Sequence, residues 1–262
     1  MTNDEYRKTE GISRSQLSVL LNQTPLHFHY LETNGGKEDN ASFAFGRASH
    51  KYILEKDDFF NEFAVAPNCD RRTKVGKQIW QDVVDKNPDK EVVTQEDFEK
   101  IQAMSEQIDK TPLARQLLTG QVEQSFWWTD EETGERCKVR PDCITEYEGR
   151  KYLVDYKTTD SCQDGHFERS VRKYGYKFQS GMYREGVFQN TFEDYGFIFV
   201  AQEKKPPYAA RVYFCTDEFI NEGYEQFRKT INLYHYCKVN DDWFGYAGAN
   251  GTYTELVEEG DE

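Results

Sequence analysis

The chain has no run of about 18 apolar residues, so no segment reads as a membrane span. The opening stretch, MTNDEYRKTE, carries no apolar core, so no secretory signal is expected and the cytoplasm is the expected compartment. Six cysteines, at 69, 137, 143, 162, 215 and 237, include no CxxC pair. Without an export signal, reduced and mostly buried thiols are expected rather than three disulfides. Positive charge is short: 33 Lys and Arg stand against 47 Asp and Glu, a net charge of −14. A surface coated for nucleic acid is ordinarily basic, so any such contact here has to be focused in one groove.

What is present suits a globular α/β (α+β) chain. Aromatics make up 15% of the sequence, enough for a core and for stacking surfaces. No internal repeat or linker divides the 262 residues. One domain over 11–238 is expected, after a flexible arm at 1–10 and before a loop and acidic tail at 239–262.

The stretch RPDCITEYEGRKYLVDYKTTD, residues 140–160, reads as two short strands around a Glu148-Gly149 turn, the first over Cys137 to Ile144 and the second over Lys151 to Lys157. That turn sets Asp142 opposite Asp155 on one face, where like charges repel. Lys157 shares the face of Asp155, while Tyr156 points away. Two carboxylates and an ammonium on one patch need a reason, and a divalent cation held by both acids is the simplest.

Other stretches supply candidate partners. Ser13 and Gln16 form a capping box that opens a helix. Ser13, Arg14 and Ser15 either only initiate it or also seat a phosphate at its N-terminus. Gly46 and His50 are four apart on a helix and share a face, with Glu55 either a surface residue or a helper. Phe59 to Pro67 reads as a strand. Arg71, Arg72, Lys74 and Lys77 form the densest basic cluster, either a solvated loop or a phosphate-contacting one. Thr94 caps a helix whose Phe98, Ile101, Met104 and Ile108 make a core stripe. Gln121 to Thr129 reads as one strand, with Glu123 either on an exposed edge or facing the acids. Residues 165–189 read as one helix aligning Tyr176, Gln179 and Tyr183, with Arg169, Arg172, Lys173 and Lys177 able to track a strand of DNA. A hairpin over 195–215 and a helix over 216–238 complete the reading.

Gly46/His50, Arg140-Pro141-Asp142, Asp155-x-Lys157 and Gln179/Tyr183 occur in this order. Together they resemble the PD-(D/E)xK nuclease superfamily, in its RecB-like branch, and the RecE-type (exonuclease VIII) recombination exonucleases of phage and prophage. The phrase RRTKVGKQIW is similar to that family as well.

The resemblance implies a restriction-endonuclease-like core, a central mixed sheet flanked by helices, with an N-terminal helical region. It implies a 5′-to-3′ exodeoxyribonuclease on linear duplex DNA that leaves 3′ overhangs. Asp142, Asp155, His50 and the Tyr156 carbonyl would hold Mg²⁺, or Mn²⁺. Lys157 would position the attacking water, Gln179 and Tyr183 would orient the lysine and the DNA, and Glu123 would support the metal. Some superfamily members carry a four-cysteine iron–sulfur cluster, but the cysteine spacing here does not offer that set. A homo-oligomeric ring, a single-strand annealing partner and a phage or prophage origin in a bacterial cell come with the resemblance. A site- or structure-specific endonuclease, or a silent DNA-binding module of the same fold, are the alternatives.

Overall fold

A computed structural model describes residues 1, 3–35 and 41–246. The N-terminal region is helical, with α1 (Asn3–Lys8), α2 (Arg14–Asn22), α3 (Pro25–Thr33) and α4 (Ala41–Leu54), and a short strand β1 (Ile12–Ser13) before α2. A small unit follows: α5 (Phe59–Glu62), β2 (Phe63–Ala66), α6 (Lys74–Lys86) and β3 (Glu91–Thr94). Then come α7 (Gln95–Asp109), α8 (Pro112–Leu117), β4 (Gln121–Val122), β5 (Phe126–Thr129), β6 (Arg136–Val139), β7 (Cys143–Tyr147) and β8 (Arg150–Thr159). The chain continues through α9 (His166–Tyr174), α10 (Tyr176–Thr191), β9 (Gly196–Glu203), β10 (Ala210–Phe214) and α11 (Asp217–Asn240).

The central sheet has the order β10-β9-β8-β7-β4. β8 and β9 run parallel, joined by α9 and α10, and the other neighbours are antiparallel. Glu148 and Gly149 both take positive φ, 50° and 77°, the geometry of a tight hairpin turn whose twist matches its strands. The resulting register pairs Cys143 with Val154, as the turn position predicts. Alternation along β8 then divides the core. Val154 and Tyr156 join the apolar layer with Ile53, Met104, Ile108 and Leu117. Leu153 joins the opposite layer with Phe167, Tyr176, Phe197 and Phe199. The architecture is mixed α/β, with mixed sheets flanked by helices, consistent with the restriction-endonuclease-like fold.

α10 crosses α11 with almost no space between their backbones. A Cβ at Gly181 would lie 2.0 Å from the Tyr224 nitrogen, and one at Gly223 would lie 1.9 Å from the Lys177 carbonyl oxygen. Only glycine allows that approach. It fixes the helix that carries Gln179 and Tyr183 against the rest of the molecule.

Several expectations need correction. Residues 140–147 are not one strand with 137–139. Pro141 lacks an N–H and interrupts the ladder, so β6 pairs with β1 and β5 in a separate three-stranded sheet. The expected strand 121–129 likewise splits at Glu123, whose φ is 53°. The expected helix 165–189 breaks at Gly175, which is left-handed with φ 64°. Phe59–Glu62 is helical, and only Phe63–Ala66 is a strand.

Residues 1–10, expected as a flexible arm, contain α1. The buried Lys138 ammonium donates to the carbonyls of Tyr6 (3.1 Å), Arg7 (3.1 Å) and Thr9 (2.6 Å). Trp127 Nε1 donates to Thr9 Oγ1 at 3.1 Å. At the other end, α11 runs on to Asn240, and the acidic tail from 247 lies outside the described residues.

Candidate active site

Three acids fall on one row across the sheet. Val122 pairs with Cys143, and Cys143 with Val154. The next rung sets Glu123, Asp142 and Asp155 side by side where β4 and β7 stop. The Glu123 N–H donates to the Asp142 carbonyl at 3.0 Å, which ties the first two together. The break at Pro141 also frees the Tyr156 N–H from a strand partner. Asp142 Oδ2 accepts it instead, at 2.7 Å, deep in the protein. The Arg-Pro-Asp sequence thus ends a strand and turns a carboxylate back onto its neighbour.

Each acid has its own surroundings. Asp155 is 2% exposed. Its Oδ1 accepts from Gln179 Nε2, and its Oδ2 is ion-paired with the Lys157 ammonium. Asp142 Oδ2 also lies 3.2 Å from His50 Nδ1. The His50 ring meets the Tyr156 ring edge-on at 5.1 Å, which sets its orientation. Glu123 is ion-paired with Arg140.

Burial, and then the charge of Asp155, push Asp142 well above the usual carboxylate range. Burial, and then Asp142, raise Glu123 to about 7. Burial, and then the Lys157 charge, lower His50. Burial opposes the charge on Lys157, but Asp155, Tyr176 and Asp142 outweigh it and its pKa is raised. The row is therefore short of positive charge even with Lys157 and Arg140 beside it. Acids this close ionise together only when more positive charge arrives.

A hard divalent cation fits that deficit. The donors at hand are carboxylate oxygens, one imidazole and the Tyr156 carbonyl, a set suited to Mg²⁺ or Mn²⁺. Gln179 Oε1, buried and without a hydrogen-bond partner among the described residues, is a further acceptor for a cation-bound water. The cage is not ready-made: among the described residues no three of His, Cys, Asp and Glu already converge on one point. Asp155 is turned toward Lys157 and Gln179, and Asp142 toward Tyr156 and His50. Loading a cation at both acids requires Asp155 to exchange part of its bond to Lys157.

The remaining candidates divide. Burial, and then the nearby Tyr6 and Asp155, hold the Tyr183 hydroxyl pKa well above normal. Tyr176 packs under Lys157, whose Nζ lies 5.1 Å from its ring centre. Ser13 caps α2 in a full capping box with Gln16, and Ser13 Oγ lies 3.1 Å from Ser15 Oγ. Arg14 reaches the other way, donating to the carbonyls of Tyr174 and Gly175, and its charge is felt at Lys157. Gly46 faces open space, with nothing among the described residues within 4 Å of an added Cβ. Glu55 pairs with Lys51 at 3.0 Å.

The basic cluster belongs to the small β2–α6–β3 unit. Arg71 stacks on Trp80 at 4.0 Å and Arg72 pairs with Asp70 at 3.0 Å. Lys74 and Lys77 are exposed at the start of α6. No contact of these four residues reaches the acidic row. Arg169, Arg172 and Lys173 are exposed on α9, not on the helix of Gln179. Lys177 is on α10, paired with Glu222.

Two neighbours of the row were not foreseen. The sequence marks Arg140 only as part of a motif, yet it sits between Glu123 and the Tyr6 ring, 5.6 Å from the ring centre. Tyr6 comes from α1, and no periodicity in that polar segment points to the site. Lys138 alternates with the apolar Cys137 and Val139, which would suggest an outward lysine rather than the buried clasp of α1.

Among curated proteins none matches the chain. The crystal structure of an Eubacterium rectale protein, which carries a provisional exonuclease name, superposes with a TM-score of 0.60. The two are 17% identical, over 98% of this chain and 96% of that one, so the likeness is one of fold. The crystal structure of SSO0001 is 14% identical over 84% of each chain, with a TM-score of 0.32, too low to argue from. A family model described as a PDDEXK-like domain of unknown function (DUF3799) matches residues 13–254. That span holds the acidic row, His50, Lys157, Gln179 and Tyr183, and the chain therefore belongs to this family of PDDEXK-like domains.

Proposed function

We propose that this protein is a divalent-metal-dependent exodeoxyribonuclease that digests linear duplex DNA from 5′ to 3′ and leaves 3′ single strands for recombination by annealing. The observation that carries the hydrolytic part is the buried pair Asp142 and Asp155, opposed across a hairpin with Lys157 on Asp155. Family membership supports a nuclease of the PD-(D/E)xK kind. Polarity, the annealing partner and a ring-shaped oligomer rest on the resemblance of the four spaced motifs to RecE-type enzymes.

In this reading Asp142, Asp155, His50 and the Tyr156 carbonyl hold the cation. When bound, a divalent cation lowers the pKa of its water and neutralises phosphate charge. Lys157 keeps its proton, because the acids around it raise its pKa. It acts as a donor that orients the attacking water and stabilises developing charge on the phosphate, not as a base. Gln179 holds Asp155 in place, and Tyr183, near enough to feel the Asp155 charge, would help orient the DNA. His50, with its pKa lowered, stays neutral and offers a nitrogen. Glu123, its pKa raised to about 7, would support the cation from the β4 side, and Arg140, paired with Glu123, lies two residues before Asp142. Contacts to phosphate by Ser13, Arg14, Ser15, Arg71, Arg72, Lys74, Lys77, Arg172, Lys173 and Lys177 would be independent of sequence, as progressive digestion requires.

A single gel tests the reading. Linear 5′-phosphorylated duplex and nick-free plasmid are incubated with the protein in Mg²⁺, with and without chelator. Loss of the linear DNA alone, abolished by chelator and by Asp142→Asn, is the expected result. Cutting of the closed circle would assign an endonuclease instead. Asparagine is chosen because its oxygen still accepts the Tyr156 N–H, so the fold is kept.

A further inference from the structure

Beyond the acidic row, one feature leads from the site to the surface. Tyr174 is the last residue of α9 and is 49% exposed. The left-handed Gly175 turns the chain there, so Tyr174 lies beside the first residue of α10, Tyr176. The two rings stack, with centres 5.9 Å apart and planes 29° from parallel. The inner ring is fixed, since Tyr176 is 8% exposed and stacks on Phe199 at 5.3 Å. It also meets the Phe167 ring at 6.0 Å and the Lys157 ammonium, 5.1 Å from its ring centre. Tyr176 is the one ring that Tyr174 meets among the described residues. A stack of two aromatics thus begins at the site lysine and ends on a half-exposed ring.

The charges around that ring are positive, in a chain whose net charge is −14. Arg14 donates to the Tyr174 and Gly175 carbonyls. Lys173 Nζ lies 5.3 Å from the Tyr174 ring centre, and Arg172 is exposed one residue earlier. Aromatic rings that take bases, beside cations that follow the backbone, are how proteins hold single-stranded nucleic acid. Tyr174 is no farther from Lys157 than the two separations laid end to end. That distance corresponds to about three stacked nucleotides at ~3.4 Å each.

We propose that Tyr174 is a stacking platform for an unpaired nucleobase of the DNA strand held in the site, one to three nucleotides from the phosphate at Lys157. This rests on the reading of the site as a deoxyribonuclease and names the substrate feature it grips: a frayed end rather than an intact blunt one. The inner tyrosine fixes the height of the platform, and the cations hold the phosphates that flank the base.

The experiment uses the full chain with Ca²⁺ and a duplex end in which one of the last three nucleotides is 2-aminopurine, whose fluorescence falls on stacking against an aromatic ring. The wild-type protein is expected to quench at one of these positions. Tyr174→Ala is expected to lose that quench and to bind a frayed end about 5- to 160-fold more weakly, the range for loss of one base–aromatic stack. Tyr174→Phe is expected to keep both, because the ring and not the hydroxyl makes the contact. An unchanged melting temperature for Tyr174→Ala excludes a folding defect. Quenching that survives in Tyr174→Ala, or none at any position in the wild type, overturns the proposal. Quenching by a protein that cuts no DNA in Mg²⁺ would overturn the proposed activity and leave the platform standing.

Discussion

Asp142, Asp155 and Lys157 were legible as a set because a strand alternates every residue and a two-residue turn fixes register. The positions that reach the set from helices, His50, Gln179 and Tyr183, were legible only as motif spacings. Nothing in the sequence alone says which strand a helix faces. Tyr6 and the buried role of Lys138 were not legible at all, since both depend on a short polar helix folding back onto β6. Glu123 is compatible with two placements in the sequence; its own positive φ of 53° sets it beside Asp142 rather than on an exposed edge.

That placement has a consequence for stability. A carboxyl raised to about 7 from an ordinary 4.5 binds its proton more tightly folded than unfolded. Its contribution is present below the unfolded value and is lost as pH rises through about 7. With chelator present, the wild type is expected to lose on the order of 3 kcal/mol between pH 5 and pH 8 from this group. Glu123→Gln should show a shallower fall, measured by urea unfolding at the two pH values. Parallel pH profiles for the two proteins would remove Glu123 from the buried row.

At the scale of elements, the missed boundaries share one physical cause. Pro141, Glu123 and Gly175 each interrupt a run whose apolar pattern continues on both sides. Pattern reports burial, and burial persists when a strand changes sheets or a helix turns a corner. The first break matters most, because it lets Asp142 replace a backbone partner for Tyr156. Capped starts were easier to place: Ser13, Thr94 and Thr216 each accept a first-turn N–H of the helix expected there. The α10–α11 crossing was not legible, as glycines inside helices read only as weak positions. Gly181→Ala would put a methyl group 2.0 Å from the Tyr224 nitrogen and force the helices apart. A loss of about 2 kcal/mol or more is expected in urea unfolding, with Gln179 displaced from Asp155. A midpoint equal to the wild type would mean that the two helices do not pack as closely as described.

The whole molecule sets an electrostatic problem. A chain of net charge −14 repels a polyanion, and many of its cations are already taken: Lys177 by Glu222, Arg150 by Asp217, Arg211 by Asp164 and Arg228 by Asp130. The buried acids add to that repulsion at the point where a phosphate would have to enter. Under the proposed function, a divalent cation held by Asp142 and Asp155 would reverse the local sign and would leave Lys157 free to meet a phosphate. Metal binding and DNA binding would then be linked, and Asp142, whose pKa is raised by burial and by Asp155, would shed a proton as the cation enters. Calorimetric titration of Mn²⁺ into the wild type and into Asp142→Asn and Asp155→Asn tests this most directly. The account predicts saturable binding with proton release in the wild type and at least about a tenfold loss of affinity in each variant. Equal affinity in all three proteins, with no proton released, would contradict it.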